Sequence, residues 1–401
     1  MMKKNTAFLL ISLGFCSFVS AQKSVVKSLD KLPDTGETTS YTNTFGEDHD
    51  YNINVPGFKL LTNGTVIDTI TSLQWQKTDG GEMTIENAAI YCDTLTLGGY
   101  TDWRLPTAAE GFSIVNHQFT NPALNTSVFT KTTAEYWWTS NKQSNDATKI
   151  WCTNAGGGIG NHPKAETLSA GGTKKFHVRA VRNPQVSKII AERYVSVGDS
   201  SVYDSLNNLV WQLSPMPTTL TWEDALIASE NLYLDGHSDW RLPNIKELRS
   251  LNDEGLIQPS INKSVFPNVA VNKYWSSTTV SNQTTKAWYW FNAFGITTFD
   301  AKTVANYVLC VRTPTKGNLS NVQSMKVGKI RIYPNPAKTS VFLISEGKGT
   351  VQLLDITGKS CLEQTLQNEV ESISLSGISA GIYFVKVSIG NITQTQKIVI
   401  E

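Results

Sequence analysis

Hydrophobic and polar positions change rhythm along this 401-residue chain, and the changes mark its elements. Short runs of β-branched and aromatic residues, cut by turn residues, dominate, and such runs predict strands. Asn63-Gly64 between apolar residues predicts a hairpin. Helical spacing is rarer. Thr84 opens a short helix through Cys92, with Ala88, Ala89 and Ile90 inside, and Thr221 opens another with Trp222, Ala225 and Leu226. A Thr hydroxyl suits the N-cap, and the acid two positions on, Glu86 or Glu223, suits the helix dipole. A further helix is predicted from Ile245 to Leu251, around Lys246-Glu247-Leu248. Toward the end the rhythm becomes that of strands alone. Ile330-Arg331-Ile332-Tyr333 alternates, Val351 to Ile356 runs into the tight turn Thr357-Gly358-Lys359, and Gly381 to Val387 and Lys397 to Ile400 follow. Short strands with turns between them predict a small β-sandwich.

The pentapeptide Asp-Trp-Arg-Leu-Pro occurs twice, at 102–106 and at 239–243, and its surroundings recur with it. Leu73-Gln74-Trp75-Gln76 matches Leu209-Val210-Trp211-Gln212, Trp138-Thr139-Ser140 matches Trp275-Ser276-Ser277, and Val181-Arg182 matches Val311-Arg312. This is a tandem duplication, and it aligns the chain with itself. Shared residues maintain the fold; unshared ones are where function has room to diverge. The repeat sets the boundaries: an extended polar lead-in over 22–58, copy one over 59–183, copy two over 193–313, a polar linker over 314–328 and a terminal domain over 329–401.

Residues 1–21 read as a signal peptide, with Lys3 and Lys4 before an apolar run and cleavage between Ala21 and Gln22. No later run reaches the roughly 18 apolar residues of a membrane span, so no transmembrane segment is expected in the mature chain. Charged residues make up 17% and the net charge is +1, which gives no global pull toward nucleic acid. The eleven Trp and the wealth of Thr, Val, Asn and Gly suit a β-rich, loop-rich exported protein.

Export permits disulfides. Cys92, on a predicted helix, has Ser229 as its counterpart, and Cys310, on the last strand of copy two, has Ala180. Each copy thus retains one half of a helix-to-strand pair. Cys92 with Cys152 is a second possible bridge; buried unbridged thiols are the alternative.

The shared tryptophans, Trp75, Trp103, Trp138, Trp211, Trp240 and Trp275, read as core. Arg104 and Arg241 read as residues that cement a loop, and Asp102 and Asp239 as braces of the same turn. The acidic stretch Glu47-Asp48-His49-Asp50 reads as a solvated turn. No catalytic constellation, cofactor or metal is expected: the five His are scattered and no nucleophile or phosphate-loop motif occurs. Two features break the repeat symmetry. Copy two carries Trp288-Tyr289-Trp290-Phe291 on a strand, so Tyr289 and Trp290 lie on opposite faces and either is available to stack on a sugar. Copy one carries Lys174, Lys175, His177 and Arg179, a basic edge suited to an anionic glycan.

The terminal residues, Tyr333-Pro334-Asn335-Pro336, Asp355 to Lys359, Gly381 to Val387 and Lys397 to Ile400, resemble the type A sorting domain of the type IX secretion system of Bacteroidetes. The resemblance implies contact with that machinery, passage through the outer membrane, and a cell-surface or extracellular location. The repeats resemble the Lcl C-terminal domain family through Leu-x-Trp-Gln, the Ala-bearing helix, Asp-Trp-Arg-Leu-Pro and Leu309-Cys310-Val311-Arg312. That resemblance implies an α+β class, two tandem C-type lectin-like domains followed by the small β-sandwich. It also points to a noncatalytic, adhesin-like protein whose partner is an extracellular glycan or surface polymer. The calcium-lectin triplets Glu-Pro-Asn and Gln-Pro-Asp are missing, and Gln258-Pro259-Ser260 is a near match. A structural envelope or matrix protein and a degenerate enzyme are the alternatives.

Overall fold

The structure, a computed structural model, describes residues 25–164, 176–185, 188–190, 192–314, 331–333, 337–344, 348–367, 370–389 and 392–401. The expected signal peptide with its expected Ala21–Gln22 junction, Lys174, Lys175 and Pro334-Asn335-Pro336 lie outside the described residues. The chain divides into two units, Met1–Thr313 and Pro314–Glu401.

The first unit opens with β1 (Val25–Lys27) and, after a one-turn 3-10 helix at Asp48–Asp50, enters copy one. There β2 (Phe58–Leu60), β3 (Thr65–Asp68) and β4 (Gln74–Gln76) lead to α1 (Ile85–Thr94) and α2 (Ala108–Ser113). Then come β5 (Tyr136–Gln143), β6 (Asp146–Asn154), β7 (Ile159–Pro163), β8 (Phe176–His177) and β9 (Val181–Arg182). β10 (Lys188–Ile190) pairs back on β1. Copy two repeats the plan: β11 (Tyr194–Ser196), β12 (Ser201–Asp204), β13 (Leu209–Gln212), α3 (Trp222–Glu230) and α4 (Ile245–Ser250). It closes with β14 (Lys273–Thr279), β15 (Lys286–Phe291), β16 (Ile296–Ala301) and β17 (Val311–Arg312).

Each copy holds two small sheets. In copy one the orders are β2-β3-β4-β9 and β7-β6-β5-β8; in copy two, β11-β12-β13-β17 and β14-β15-β16. The parallel pairing of Trp137 with His177 in copy one survives in copy two as a single parallel bridge between Tyr274 and Tyr307. The helices start where the caps predict. Thr84 Oγ1 accepts from Asn87 N at 3.3 Å, and α2 and α4 begin with reciprocal capping boxes, Thr107 with Glu110 and Asn244 with Glu247.

The expected α+β class is overturned. Strand accounts for 36% of the chain and helix for 11%, spread over several small sheets. The helices are six to ten residues long, too short to form a layer of their own.

The repeated pentapeptide pins the closing strand in each copy. Trp103 Nε1 donates to Leu97 O and Trp240 Nε1 to Leu234 O, both at 3.2 Å, with the indoles buried. Arg104 grips Glu110 with two hydrogen bonds, at 2.7 and 2.8 Å, and Arg241 grips Glu247 at 2.7 and 2.6 Å. Asp102 accepts from Arg182 at 2.6 Å and Asp239 from Arg312 at 2.7 Å. The other shared tryptophans, Trp75, Trp138, Trp211 and Trp275, are fully buried.

One core cluster crosses from copy to copy, joining Phe112, Trp151 and Ile159 to Trp211, Leu248 and Trp288. Ile159 N donates to Thr297 Oγ1 at 3.0 Å, which ties β7 to β16. Gly157, at φ +103°, lets the turn before β7 pass: a Cβ there would stand 3.2 Å from the Trp288 ring and 3.3 Å from Ala123.

Cys92 and Cys152 sit in one core cluster as separate buried thiols, and Cys152 Sγ is directed at Ile150 O, 3.6 Å away. The split pair is visible in copy two, where Cys310 Sγ lies 3.4 Å from Ser229 Oγ. Burial pushes the Cys310 thiol up to about 12, so it stays protonated and inert in the folded state. Ser229→Cys is expected to close the bridge during oxidative refolding. A thiol titration in denaturant would then count one free thiol fewer than in wild type, and stability would rise by roughly 2–4 kcal/mol. An added free thiol at position 229 would refute the facing geometry.

In the second unit β18 (Arg331–Tyr333), β19 (Ser340–Ile344), β20 (Gly349–Leu354), β21 (Ser360–Leu366), β22 (Val370–Ser374), β23 (Gly381–Ile389) and β24 (Ile392–Ile400) form two sheets, β18-β19-β22 and β21-β20-β23-β24. Alternate residues of both, among them Val341, Leu343, Val351, Leu353, Val385 and Ile398, bury one core.

Candidate functional site

The lead-in is not a loose tether. Asp34 accepts from Ile53 N and Asn54 N at 2.8 and 2.7 Å, which folds 34–54 back on itself. Thr35 O accepts from His117 N of copy one at 2.9 Å. Asp48 accepts from Thr35 Oγ1 at 2.8 Å and from Thr278 Oγ1 of copy two at 2.5 Å. Tyr51 donates to Glu230 at 2.6 Å, and Thr42 to Glu223 at 3.1 Å. The segment therefore bonds to both copies. Lys246 of α4 completes the join, donating to Asp34 O at 2.9 Å and to Ser113 O, in the last turn of α2, at 2.7 Å.

This corrects the reading of Glu47-Asp48-His49-Asp50 as a solvated turn. Glu47 and Asp48 are buried, because Thr35, Thr278 and backbone groups of the lead-in supply the hydrogen bonds that water would otherwise give. Burial pushes the Asp48 carboxyl up to about 7, against the Thr278 and Thr35 hydrogen bonds that hold it down. Burial, with Glu247 nearby, also raises Asp34; burial, with Asp48 and Glu47 nearby, raises Glu37 well above the usual carboxylate range. Burial lowers Lys246 to about 8.

Unfolded, Asp48 gives up its proton near pH 4; folded, it holds the proton to about 7. The folded state binds the extra proton in that window, so this group's contribution makes stability fall as pH rises from about 4 to about 7 and then level off. Asp48→Asn keeps an oxygen acceptor without the titration. It is expected to flatten the slope by roughly 2–4 kcal/mol across the window. Urea midpoints at pH 4.5 and 7.5 check this, and parallel pH curves for variant and wild type would refute it.

Between the lead-in and copy one lies a cleft of about 240 Å3. The carboxamides of Asn52, Asn116 and Asn125 line it, together with Glu37, Tyr51 and Phe119. Phe119 is 45% exposed and Val55 on the same rim is 55% exposed, so an apolar lip borders a polar interior. The Tyr51 ring lies under the Arg241 guanidinium at 5.1 Å. Gln118 fixes the lead-in at this point, accepting from Thr38 N at 2.7 Å and from Thr38 Oγ1 at 3.0 Å. In the internal alignment Asn116, Gln118 and Phe119 correspond to Asp253, Gly255 and Leu256. These three lining residues are unshared, while a fourth, Asn125, keeps its match in Asn262. The duplication carried that signal, but spacing alone does not show that the lead-in folds over them.

The sequence-predicted ligand residues lie elsewhere. Trp290 is fully buried in the core shared by the copies, and Tyr289 is buried against Trp275, with Lys273 Nζ 4.8 Å above its ring. β15 is the central strand of its sheet, and core packs on both of its faces, so neither ring is offered to solvent. The basic edge is also altered. His177 and Arg179 are buried around Asp79, which accepts from His177 Nδ1 at 2.9 Å and from Thr132 Oγ1 at 2.6 Å. Burial would raise Asp79, yet His177, Thr132 and Arg179 hold it down at about 2. Ser260, in the near match to a lectin triplet, is buried and donates to Asn292 O at 3.0 Å. Among the described residues no group of three or more His, Cys, Asp or Glu is placed to hold a metal ion, and no helix is long and apolar enough to cross a membrane.

A duplicated body followed by a separate terminal domain is what family comparison also finds. The Lcl C-terminal domain matches twice, over 64–182 and 200–312, and the chain belongs to that family. The secretion system C-terminal sorting domain matches 331–401. That domain implies interaction with the type IX machinery and marks the chain for export through the outer membrane, to the cell surface or the extracellular space. No curated protein matches the chain. Among solved structures it is similar to PorZ, an essential surface component of the type IX secretion system of Porphyromonas gingivalis, at 13% identity and a TM-score of 0.18. That match covers 87% of this chain and 39% of the other. It is also similar to an extracellular domain from B. thetaiotaomicron, at 9% identity and a TM-score of 0.14, over 69% of this chain and 45% of that one. At these scores neither likeness bears on fold or function.

Proposed function

We propose that the exported body is a noncatalytic binding protein, adhesin-like, and that its ligand is an extracellular glycan held in the cleft between the lead-in and copy one. The observation that carries this reading is the cleft's chemistry: asparagine carboxamides within and, at the lip, an exposed phenyl ring, Phe119, where copy two has Leu256. Carboxamides match the mixed donor and acceptor pattern of sugar hydroxyls, and an aromatic ring covers the apolar C–H face of a pyranose. The volume suits one or two sugar units rather than a long chain.

The test is a glycan array probed with the full chain, followed by titration of any sugar that binds. Phe119→Ala, at an exposed position, is expected to keep the melting temperature and weaken binding about tenfold, near 1.4 kcal/mol. Leu256→Ala, at the matching place in copy two, is expected to change nothing. Silence across neutral and acidic glycans would remove the reading and favour a structural role in the envelope or matrix.

A further inference from the structure

A second cavity, of about 140 Å3, lies between α2 and α4, apart from the cleft. The two helices hold matching places in the repeat, so Ala109 corresponds to Lys246 and Phe112 to Arg249. All four residues line the cavity. The same pair of helix positions therefore carries cations on one wall and hydrocarbon on the other. Leu29 and Leu32 of the lead-in extend the apolar side, and Arg193 adds a third cation. Against these three, Glu254 is the one carboxylate in the lining among the described residues.

The three cations are not equally matched. Asp204 grips Arg193 at 3.1 and 2.9 Å, with Asp253 near, and Arg249 Nη2 donates to Glu254 at 2.6 Å. Lys246 is 2% exposed, and among the described residues no carboxylate stands within ion-pair distance of it. Asp34, Asp48 and Asp68 act on it only from farther off, and burial favours the neutral form of all three. A buried charge is ordinarily paired, so Lys246 lacks a counter-ion. Donors also remain. The ammonium has three hydrogens, of which Asp34 O and Ser113 O take two. Among the described residues no acceptor meets Nη1 of Arg193 or of Arg249, and neither atom is sealed from solvent. A carboxylate supplies acceptors and counter-charge together, and its two oxygens suit a guanidinium. An ammonium ligand would be repelled, and a carboxamide would bring one oxygen without the charge. The volume is close to that of an engineered protein cavity that takes up benzene.

We propose that this cavity binds a small carboxylate on an apolar body about the size of a benzene ring, with the carboxylate toward Lys246 and Arg249 and the body against Phe112 and Leu32. The site is independent of the glycan cleft, and neither fate decides the other. The test uses the full chain near neutral pH and four probes: benzoate, benzamide, toluene and acetate. Ligand-observed NMR titration is expected to show saturable benzoate binding about tenfold tighter than any of the others. Arg249→Met keeps the stem and removes one cation; it is expected to weaken benzoate roughly tenfold and to leave toluene unchanged. Ala109→Trp places an indole on an exposed residue that lines the cavity, and is expected to abolish benzoate binding with an unchanged melting temperature. Equal affinity for benzoate and benzamide would overturn the assignment of an anion. Absence of saturation by benzoate in the folded wild type, or undiminished binding by Ala109→Trp, would overturn the site itself.

Discussion

Lys246→Ala is expected to destabilise the first unit by about 2–4 kcal/mol and to release the lead-in. Two terms oppose the lysine's removal and one favours it. Its Nζ is the donor to two carbonyls, Asp34 O and Ser113 O, and leaving such groups unpaired in the interior costs about 1–3 kcal/mol each. Its buried methylenes leave a void that adds roughly 2 kcal/mol. Against this, burial lowers the amine to about 8, so holding it charged costs roughly 3 kcal/mol that the variant recovers. The losses win. Lys246→Met keeps the stem and is expected to lose less than half as much. Brief proteolysis should cut the Ala variant within 28–58 while the rest of the unit survives. Equal stability of wild type and both variants would show that the lysine is a bystander.

Glu247→Ala is expected to cost about 3–5 kcal/mol, and Glu110→Ala only about 1–2 kcal/mol, although the two glutamates hold matching places. Each caps its helix and grips the arginine of the repeated pentapeptide. The difference lies in what is left behind. The Arg241 side chain is 4% exposed and would become an uncompensated buried charge, whereas that of Arg104 is 37% exposed and would be solvated. Urea midpoints of the two variants measure the gap. Equal losses would mean that the pair acts through capping alone, which is worth about 1 kcal/mol.

The repeat made much of this legible. Thr84 and Thr221 mark helix starts, the shared tryptophans mark the core, and the arginines of the pentapeptide act as cement. All of these are local patterns or positions that the two copies share. The failures are non-local. The burial of Asp48 depends on Thr278 and that of Lys246 on Asp34, partners more than two hundred residues away. Alternation along Trp288 to Phe291 shows that the strand has two faces but cannot show that core covers both. His177 and Arg179 read as a basic edge because Asp79, which draws them inward, sits almost a hundred residues upstream. The cleft at Phe119 was missed for the same reason. Its far wall is a polar segment whose hydrogen-bond partners lie in both copies, far away in sequence.

That the lead-in is an integral part of the body is the claim on which the cleft and the lysine clasp both stand. Hydrogen exchange on the full chain tests it most directly. The amides of Ile53 and Asn54, which donate to Asp34, and of His117, which donates to Thr35 O, are expected to be protected like the strand amides of Trp75 and Trp211. Exchange of residues 34–54 within seconds, at the rate of a free polar segment, would contradict the account.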